Sequence, residues 1–68
     1  MRYKIDPYNP DCLLTSKSYW NQEWVTGCKL LMRIAGNEWV HEYIDYGNTI
    51  RIRFSVPEHI TAFLMESA

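Results

Sequence analysis

The most regular alternation of hydrophobic and polar residues lies between residues 49 and 56. Ile50, Ile52 and Phe54 are separated by single charged residues. Side chains of a β-strand point alternately to its two faces, so this period of two predicts a strand with one buried and one solvated face. The charged side chains on the solvated face also discourage pairing with other chains.

The preceding strand is predicted over residues 38–46, because Trp39, His41 and Tyr43 occupy alternate positions. Gly47-Asn48 separates the two strand patterns. Glycine and asparagine tolerate positive backbone φ angles, so this pair predicts a tight turn. The two strands and the turn together predict an antiparallel hairpin.

Another strand is predicted over residues 24–34, where many even-numbered positions are apolar. Gly27 within this segment indicates a bulge or a sharp bend, and Ala35-Gly36-Asn37 ends it. A helix over residues 16–35 is the main alternative. The β-branched and aromatic residues of the segment, together with Gly27, argue against that helix.

The N-terminal residues differ from the rest of the chain. Residues 1–11 hold two of the prolines and are predicted to form an extended arm, of which residues 2–5 could add a short edge strand. Residues 13–18 are expected to form the first strand of the folded unit. Asn21-Gln22 then follows an aromatic pair and is expected to form a hairpin turn.

A short helix is predicted at the C-terminus. Ser55, Pro57 and Glu58 have the order of a helix start, with a capping serine, a proline in the first turn and a glutamate three residues after the serine. Ile60 and Phe63 then fall on one face of the helix. That face is expected to cover an open end of the strand assembly.

These elements predict a mainly β fold: a small, strongly bent antiparallel barrel of four to five strands with a short C-terminal helix. The chain has 68 residues, which is the size of one domain. We therefore expect an extended arm over residues 1–11 and a single barrel domain over residues 12–68. Because the sequence begins with Met1, it is interpreted as a complete small protein.

Composition and charge exclude several classes of protein. The net charge of -1 lacks the basic excess that is typical of nonspecific nucleic-acid binders. Cys12 and Cys28 form no ligand cluster with each other or with histidine, so neither a metal site nor a cofactor is expected. The sequence shows no signal peptide and no apolar run of membrane-spanning length. An intracellular location, cytoplasmic or nuclear, and no membrane partner are expected.

Catalytic residues cannot be assembled from the sequence. His41 has no identifiable serine or cysteine partner, and it is expected to be a partly buried, hydrogen-bonded histidine. Glu38 and Glu42 have no acid–base partner and are interpreted as a solvated edge. We therefore expect a protein that is not an enzyme.

Six consecutive residues, Tyr43-Ile44-Asp45-Tyr46-Gly47-Asn48, resemble the φ-I-D-Y-G-N signature of Tudor domains, where the signature joins the third and fourth strands. Residues 19–24 are similar to the aromatic, loop and Glu-Trp step between the first two Tudor strands. The resemblance covers roughly residues 12–64. It implies a Tudor or SH3-like barrel.

The resemblance also implies a ligand and a binding site. Tudor domains typically hold methylated arginine or lysine among aromatic rings, through cation–π attraction and dispersion. It implies that Tyr43 and Tyr46 are cage rings and that Asn48 bonds the ligand. Tyr19, or Trp20 if the loop shifts by one residue, would supply a third ring.

Val25 departs from the family pattern, since a further cage ring is expected at its position. A cage with this aliphatic wall would bind a methylated side chain more weakly, or would bind a different group. Asn48 also has a structural interpretation, because asparagine after glycine suits the backbone of a tight turn.

Two kinds of binding function follow from these observations. The first is a binding module for a peptide or protein partner, with a partial aromatic cage for methylated arginine or lysine. The alternative is a small barrel that docks on a larger protein, such as a phage-encoded or accessory factor, or that stacks single-stranded nucleic acid on its aromatic rings. The acidic charge balance makes nucleic acid the weaker candidate.

Overall fold

The computed structural model describes residues 2–67, so Met1 of the predicted arm and Ala68 of the predicted barrel lie outside the described residues. This part of the chain forms seven elements: β1 (Lys4–Asp6), β2 (Asn9–Ser16), α1 (Lys17–Gln22), α2 (Trp24–Ala35), β3 (Trp39–Ile44), β4 (Thr49–Phe54) and α3 (Pro57–Ser67). The strands form one four-stranded sheet in the order β1-β2-β4-β3. All neighbouring strands are antiparallel.

The sheet has one face covered by the helices. Leu13 of β2 lies opposite Ile52 of β4, and both side chains are completely buried. Trp20 from α1, Leu31 from α2 and Phe63 from α3 complete this core. Burial of each such side chain contributes about 1.5–3 kcal/mol to folding, so a single covered face can stabilise a domain of this size.

The predicted hairpin and terminal helix are confirmed. β4 alternates as expected, with Ile50, Ile52 and Phe54 buried, and it pairs with β3 over six residue pairs. The turn covers residues 45–48, so the strand ends at Ile44 rather than at residue 46. Positive φ angles occur at Asp45, Tyr46 and Gly47, where φ is 84°, and not at Asn48. Pro57 begins α3, as expected of a residue whose missing amide hydrogen has no helical partner at that position.

The sheet is open rather than closed into a barrel. Within residues 2–67, β1 and β3 each pair with a single neighbour and form the two edges. The helices explain this difference, because they cover the apolar face that a barrel would cover by curling its own strands. The four-stranded antiparallel sheet is thus confirmed, the closure is not present, and the fold is mixed rather than mainly β.

The predicted strand over residues 24–34 was wrong, because α2 is a helix and the alternative over residues 16–35 was closer to the truth. Gly27, Leu31 and Ala35 recur every fourth residue and are the buried positions of α2. This spacing places them on one helical face, so a period near 3.6 competes with the period of two here.

Ser16 is both the last residue of β2 and the N-cap of α1. The hydroxyl oxygen of Ser16 accepts a hydrogen bond from the Tyr19 amide at 3.1 Å, which caps α1. The first strand therefore covers Asn9–Ser16 rather than residues 13–18. Asn21-Gln22, expected as a hairpin turn, forms the last turn of α1.

Much of the expected N-terminal arm belongs to the sheet. β1 and the first residues of β2 lie within residues 1–11, and the short edge strand considered for residues 2–5 is present at Lys4–Asp6. Tyr3 is buried and packs edge-to-face on Phe63, with ring centroids 4.9 Å apart. This aromatic contact holds the N-terminal segment on the core.

Gly27 serves a close approach between helices rather than a bulge. A Cβ atom at this position would lie 3.4 Å from Cζ3 of Trp20 and 3.5 Å from the hydroxyl of Tyr3. These distances are ordinary van der Waals contacts, so the space admits a methyl group and no more.

Two substitutions at Gly27 test the helix. Gly27→Ala should leave the free energy of unfolding unchanged or raise it by up to about 1 kcal/mol, because alanine favours a helix over glycine. Gly27→Leu should lower it by about 1–3 kcal/mol through overpacking against Trp20. Urea unfolding measures both, with exposed Val25→Leu as the control on the same helix. A large loss of stability in Gly27→Ala would instead indicate a positive φ and contradict the helix.

Candidate functional site

β3 presents an unpaired backbone edge. The Ser55 amide donates to the carbonyl of Glu38 at 3.1 Å, and residues of an antiparallel ladder alternate between bonded and non-bonded pairs. Every second residue from Glu38 onward therefore bonds to β4. The N–H and C=O groups of Trp39, His41 and Tyr43 therefore point away from β4. They are unpaired because β3 has no other neighbour among the described strands.

Aromatic side chains lie beside this free edge on the helix-covered face. The His41 ring is central, and its centroid lies 6.1 Å from that of Trp39 and 6.3 Å from that of Tyr43. Trp24, at the start of α2, meets His41 edge-to-face at 5.7 Å. We call the surface formed by Trp24, Trp39, His41 and Tyr43 the aromatic edge.

The aromatic edge is accessible to a partner. Trp24 is 45% exposed and Tyr43 is 54% exposed, while Trp39 and His41 are half-buried. The indole Nε1 of Trp39 donates to the carbonyl of Gly36 at 3.0 Å, which fixes that ring. Partly exposed rings with fixed orientations are typical of protein-binding surfaces, since they bury area at little entropic cost.

The opposite face of β3 carries a charge network. Arg51 of β4 donates from Nε to Oε1 of Glu42 at 2.6 Å and also lies 3.8 Å from Oδ2 of Asp6. This network crosses the sheet from β3 to β1 and fixes the two strands relative to β4.

Asp6 is held by several donors at the end of β1. Its carboxylate accepts from the Tyr8 amide at 2.9 Å and from Nδ2 of Asn9 at 3.2 Å. The bond from Tyr8 lowers the pKa of Asp6 most, and burial acts in the opposite direction. Asn9 and Arg51 lower it further.

The second sheet edge is blunted. β1 has three residues, its register shifts between Ile5 and Asp6, and Pro7 follows it directly. Short length, irregular register and proline are the features that prevent an edge from accepting another strand. β3 has six residues and contains neither proline nor glycine, so it is the edge that remains open to pairing.

The structure disperses the predicted site residues. Tyr19 packs against Tyr3, with ring centroids 5.5 Å apart, and the guanidinium of Arg2 lies 5.1 Å above its ring. Trp20 is completely buried in the core. Both Trp20 and Tyr43 approach His41, at 5.5 Å and 6.3 Å, and these two are the predicted site residues that the fold brings together.

The remaining predicted site residues lie in the turn after β3. Tyr46 is fully exposed and has a left-handed φ of 55°. The amide of Asn48 donates to the carbonyl of Asp45 at 3.0 Å, and its carbonyl accepts from Lys17 at 3.1 Å. Asn48 thus has a backbone role in this turn. Val25, the expected gap in a cage, is an exposed residue of α2.

The aromatic edge contains residues that sequence reasoning left out of the site. His41 was expected to be a partly buried, hydrogen-bonded histidine, and Trp39 and Trp24 were assigned to strands without a binding role. The helical spacing of Gly27, Leu31 and Ala35 is the signal that would have predicted a helix beginning at Trp24 instead of a strand.

A second concave surface, of about 360 Å³, lies on the opposite face near β1. Its polar lining comes from Arg2, Lys4, Ser16, Thr15 and Thr49. Arg2, Lys4 and Ser16 are exposed, so this surface is solvated. The ordered rings and the open backbone of β3 make the aromatic edge the better candidate site.

The described part of the chain contains neither a cluster of metal ligands nor a pair of bonded cysteines. Among residues 2–67, no three His, Cys, Asp or Glu side chains lie close enough together to hold a metal ion. Cys12 and Cys28 are free thiols, and burial raises the pKa of both. No helix within residues 2–67 is both long enough and apolar enough to cross a membrane.

No family model, curated protein or solved structure matches this chain. The resemblance to Tudor domains, carried by residues 43–48 and their spacing from Tyr19, stays a prediction.

Asp6→Asn should make the free energy of unfolding less dependent on pH in the acidic range. The folded-state pKa of Asp6 lies below the value of about 3.9 for an unfolded chain, so its ionised form stabilises the fold above that pH. This contribution is lost as the pH falls through the folded-state pKa. The variant should be less stable than the wild type at neutral pH, and the difference should shrink in acid.

Urea unfolding over a pH series measures this difference. Asp45→Asn in the exposed turn is the control, because asparagine also tolerates a left-handed conformation. A stability difference for Asp6→Asn that stays constant down to acid pH would contradict the assignment.

Proposed function

We propose that this chain is a non-enzymatic binding module that takes an extended segment of a partner protein as an added strand along β3. The observation that carries this proposal is the row of outward N–H and C=O groups at Trp39, His41 and Tyr43, next to exposed aromatic rings. In strand addition, main-chain hydrogen bonds supply affinity and alternate side chains supply specificity.

The neighbouring helix supplies a wall for the added strand. Trp24, Cys28 and Met32 recur every fourth residue of α2 and so share one side of it. Trp24 contacts His41, which places the start of this side beside β3. Met32 is exposed and Cys28 is half-buried, so apolar surface is available there. Every second side chain of an added strand would then contact the aromatic edge and this side of α2.

Methylated arginine or lysine is the second candidate ligand, and the resemblance to Tudor domains is its source. Tyr43 favours it, because its exposed ring lies beside His41 on the aromatic edge. Tyr19 and Trp20 are engaged with Tyr3 and with the core, respectively. Strand addition needs none of these rings to converge, which is why we propose it first.

Strand addition predicts a specific pattern of amide protection. An acetylated and amidated heptapeptide of alternating valine and glutamine is the probe. Its binding should slow amide exchange at Trp39, His41 and Tyr43, which have no partner in the sheet. Exchange within β4 should change little, since β4 is already bonded on both sides. Nitrogen-15 NMR during titration into the millimolar range measures both.

Variants separate backbone pairing from ring contacts. His41→Ala removes the His41 ring alone, whereas His41→Pro also removes the central outward amide, and proline is tolerated where an amide points away from the ladder. His41→Pro should bind the peptide at least about tenfold more weakly than His41→Ala, the loss expected for one hydrogen bond and its neighbours. Tyr43→Ala retains the backbone and should weaken binding less. Tyr46→Ala is the control and should have no effect.

Protection of amides elsewhere, with none at β3, would exclude strand addition. A methyl-cation site gives a different result in the same spectra. Peptides with dimethylarginine or trimethyllysine should then shift Tyr43 and Tyr46 together, and the unmethylated peptides should not. We expect no shift at Tyr46, because its ring is fully exposed in the turn.

A further inference from the structure

We infer that the strand which pairs with β3 is basic and amphipathic, with apolar side chains at every second position and lysine or arginine between them. This inference rests on the proposed function, because it names the chemistry of the segment that β3 accepts. It is carried by the difference between the two faces of β3 and by the balance of charge along the strand.

The two faces of β3 differ in chemistry. The helix-covered face has the aromatic edge. The other face has Glu38 directly before the strand, then Val40, Glu42 and Ile44 at alternate positions. Glu38 belongs to this row because its carbonyl continues the ladder to Ser55. An added strand would therefore meet aromatic rings with one set of side chains and carboxylates with the other.

The carboxylates beside β3 outnumber the cations that pair with them. Arg51 binds Glu42 but also approaches Asp6, so one guanidinium is shared by two carboxylates. Within residues 2–67, Glu38 and Asp45 have no ion-pair partner, and both are exposed.

A second cation on this face is also engaged. Arg53, which lies opposite Val40, is paired with Asp11 at 3.7 Å. Unpaired carboxylates therefore lie just before β3, at Glu38, and just after it, at Asp45, although the chain as a whole has a net charge of only -1.

A basic partner satisfies this imbalance. Side chains directly opposite each other on the same face of a sheet lie close enough to interact, and opposite charges there are favourable. Lysine or arginine opposite Glu38 would improve the affinity by up to about fivefold, and opposite Glu42 by less, because Arg51 already binds that carboxylate. Apolar residues at the alternate positions would cover Trp24, His41 and Tyr43.

A second copy of this chain fits the edge poorly. Antiparallel pairing of two β3 strands would bring Glu38, Glu42 and Asp45 from both copies to one seam. Like charges across a sheet are destabilising, and charged residues on an edge are a common defence against self-pairing. The same charges that disfavour a second copy favour a basic segment of another protein.

Three matched peptides test the inference. They are acetylated and amidated heptapeptides in which valine alternates with lysine, with glutamine or with glutamate. NMR titration at low salt should give the tightest binding for the lysine peptide and the weakest for the glutamate peptide, with about tenfold between lysine and glutamine. The lysine peptide should also weaken several-fold between about 0.05 M and about 0.3 M salt, because screening increases.

Single substitutions locate the charge effect. Glu38→Gln should weaken the lysine peptide about threefold and leave the glutamine peptide unchanged, since it removes one facing carboxylate. Glu42→Gln should have the same direction. Glu66→Gln on α3 is the control. It removes an equal charge from a carboxylate that pairs with Arg33 of α2 and is not part of β3.

The possible failures are distinguishable. Equal affinities for the three peptides, with protection of the β3 amides in each case, would overturn the basic partner and leave strand addition standing. Absence of protection at β3 with every peptide would overturn both. A dimer at micromolar concentration with protected β3 amides would mean that a second copy covers the edge, and would likewise overturn both.

Discussion

The packing of Trp20 against the backbone of α2 is the contact on which the rest of the structure depends. The ring is completely buried, and a side chain at Gly27 would begin 3.4 Å from it. At position 27, α2 lies close enough to Trp20 of α1 and to Tyr3 that a methyl group would just fill the space between them. The helices then lie together on one face of the sheet, where their apolar residues and those of β2 and β4 form one core.

This arrangement of helices has a direct consequence for the edges of the sheet. A small barrel buries its apolar face by curling and pairing its first and last strands, which removes both edges. Here the helices cover that face, so β1 and β3 do not need to meet. β1 is short and irregular, whereas β3 is regular over six residues and lies beside Trp24 from the start of α2. The open edge is therefore a product of the way the core is covered.

The alternation of side chains in β3 then gives this edge two different chemical faces. Aromatic rings lie on the side that adjoins the helices, and carboxylates lie on the side that adjoins the network of Arg51. In the proposed strand addition, the rings would favour contact with apolar side chains, and the carboxylates would select among partners by repulsion as well as by attraction. Affinity and specificity would then arise from opposite faces of the same strand.

Much of this protein was determined by local sequence. The alternation over residues 49–56, the Gly47-Asn48 turn and the helix start at Pro57 are short-range signals, and each predicted an element that the structure contains. Residues 17–35 were misassigned because their apolar positions fit both a period of two and a period of four. The tertiary structure decides between these, because the helix buries Gly27, Leu31 and Ala35 together on one face. Tertiary packing also leaves the sheet open and places His41 among four aromatic rings, which no pattern within a single segment can specify.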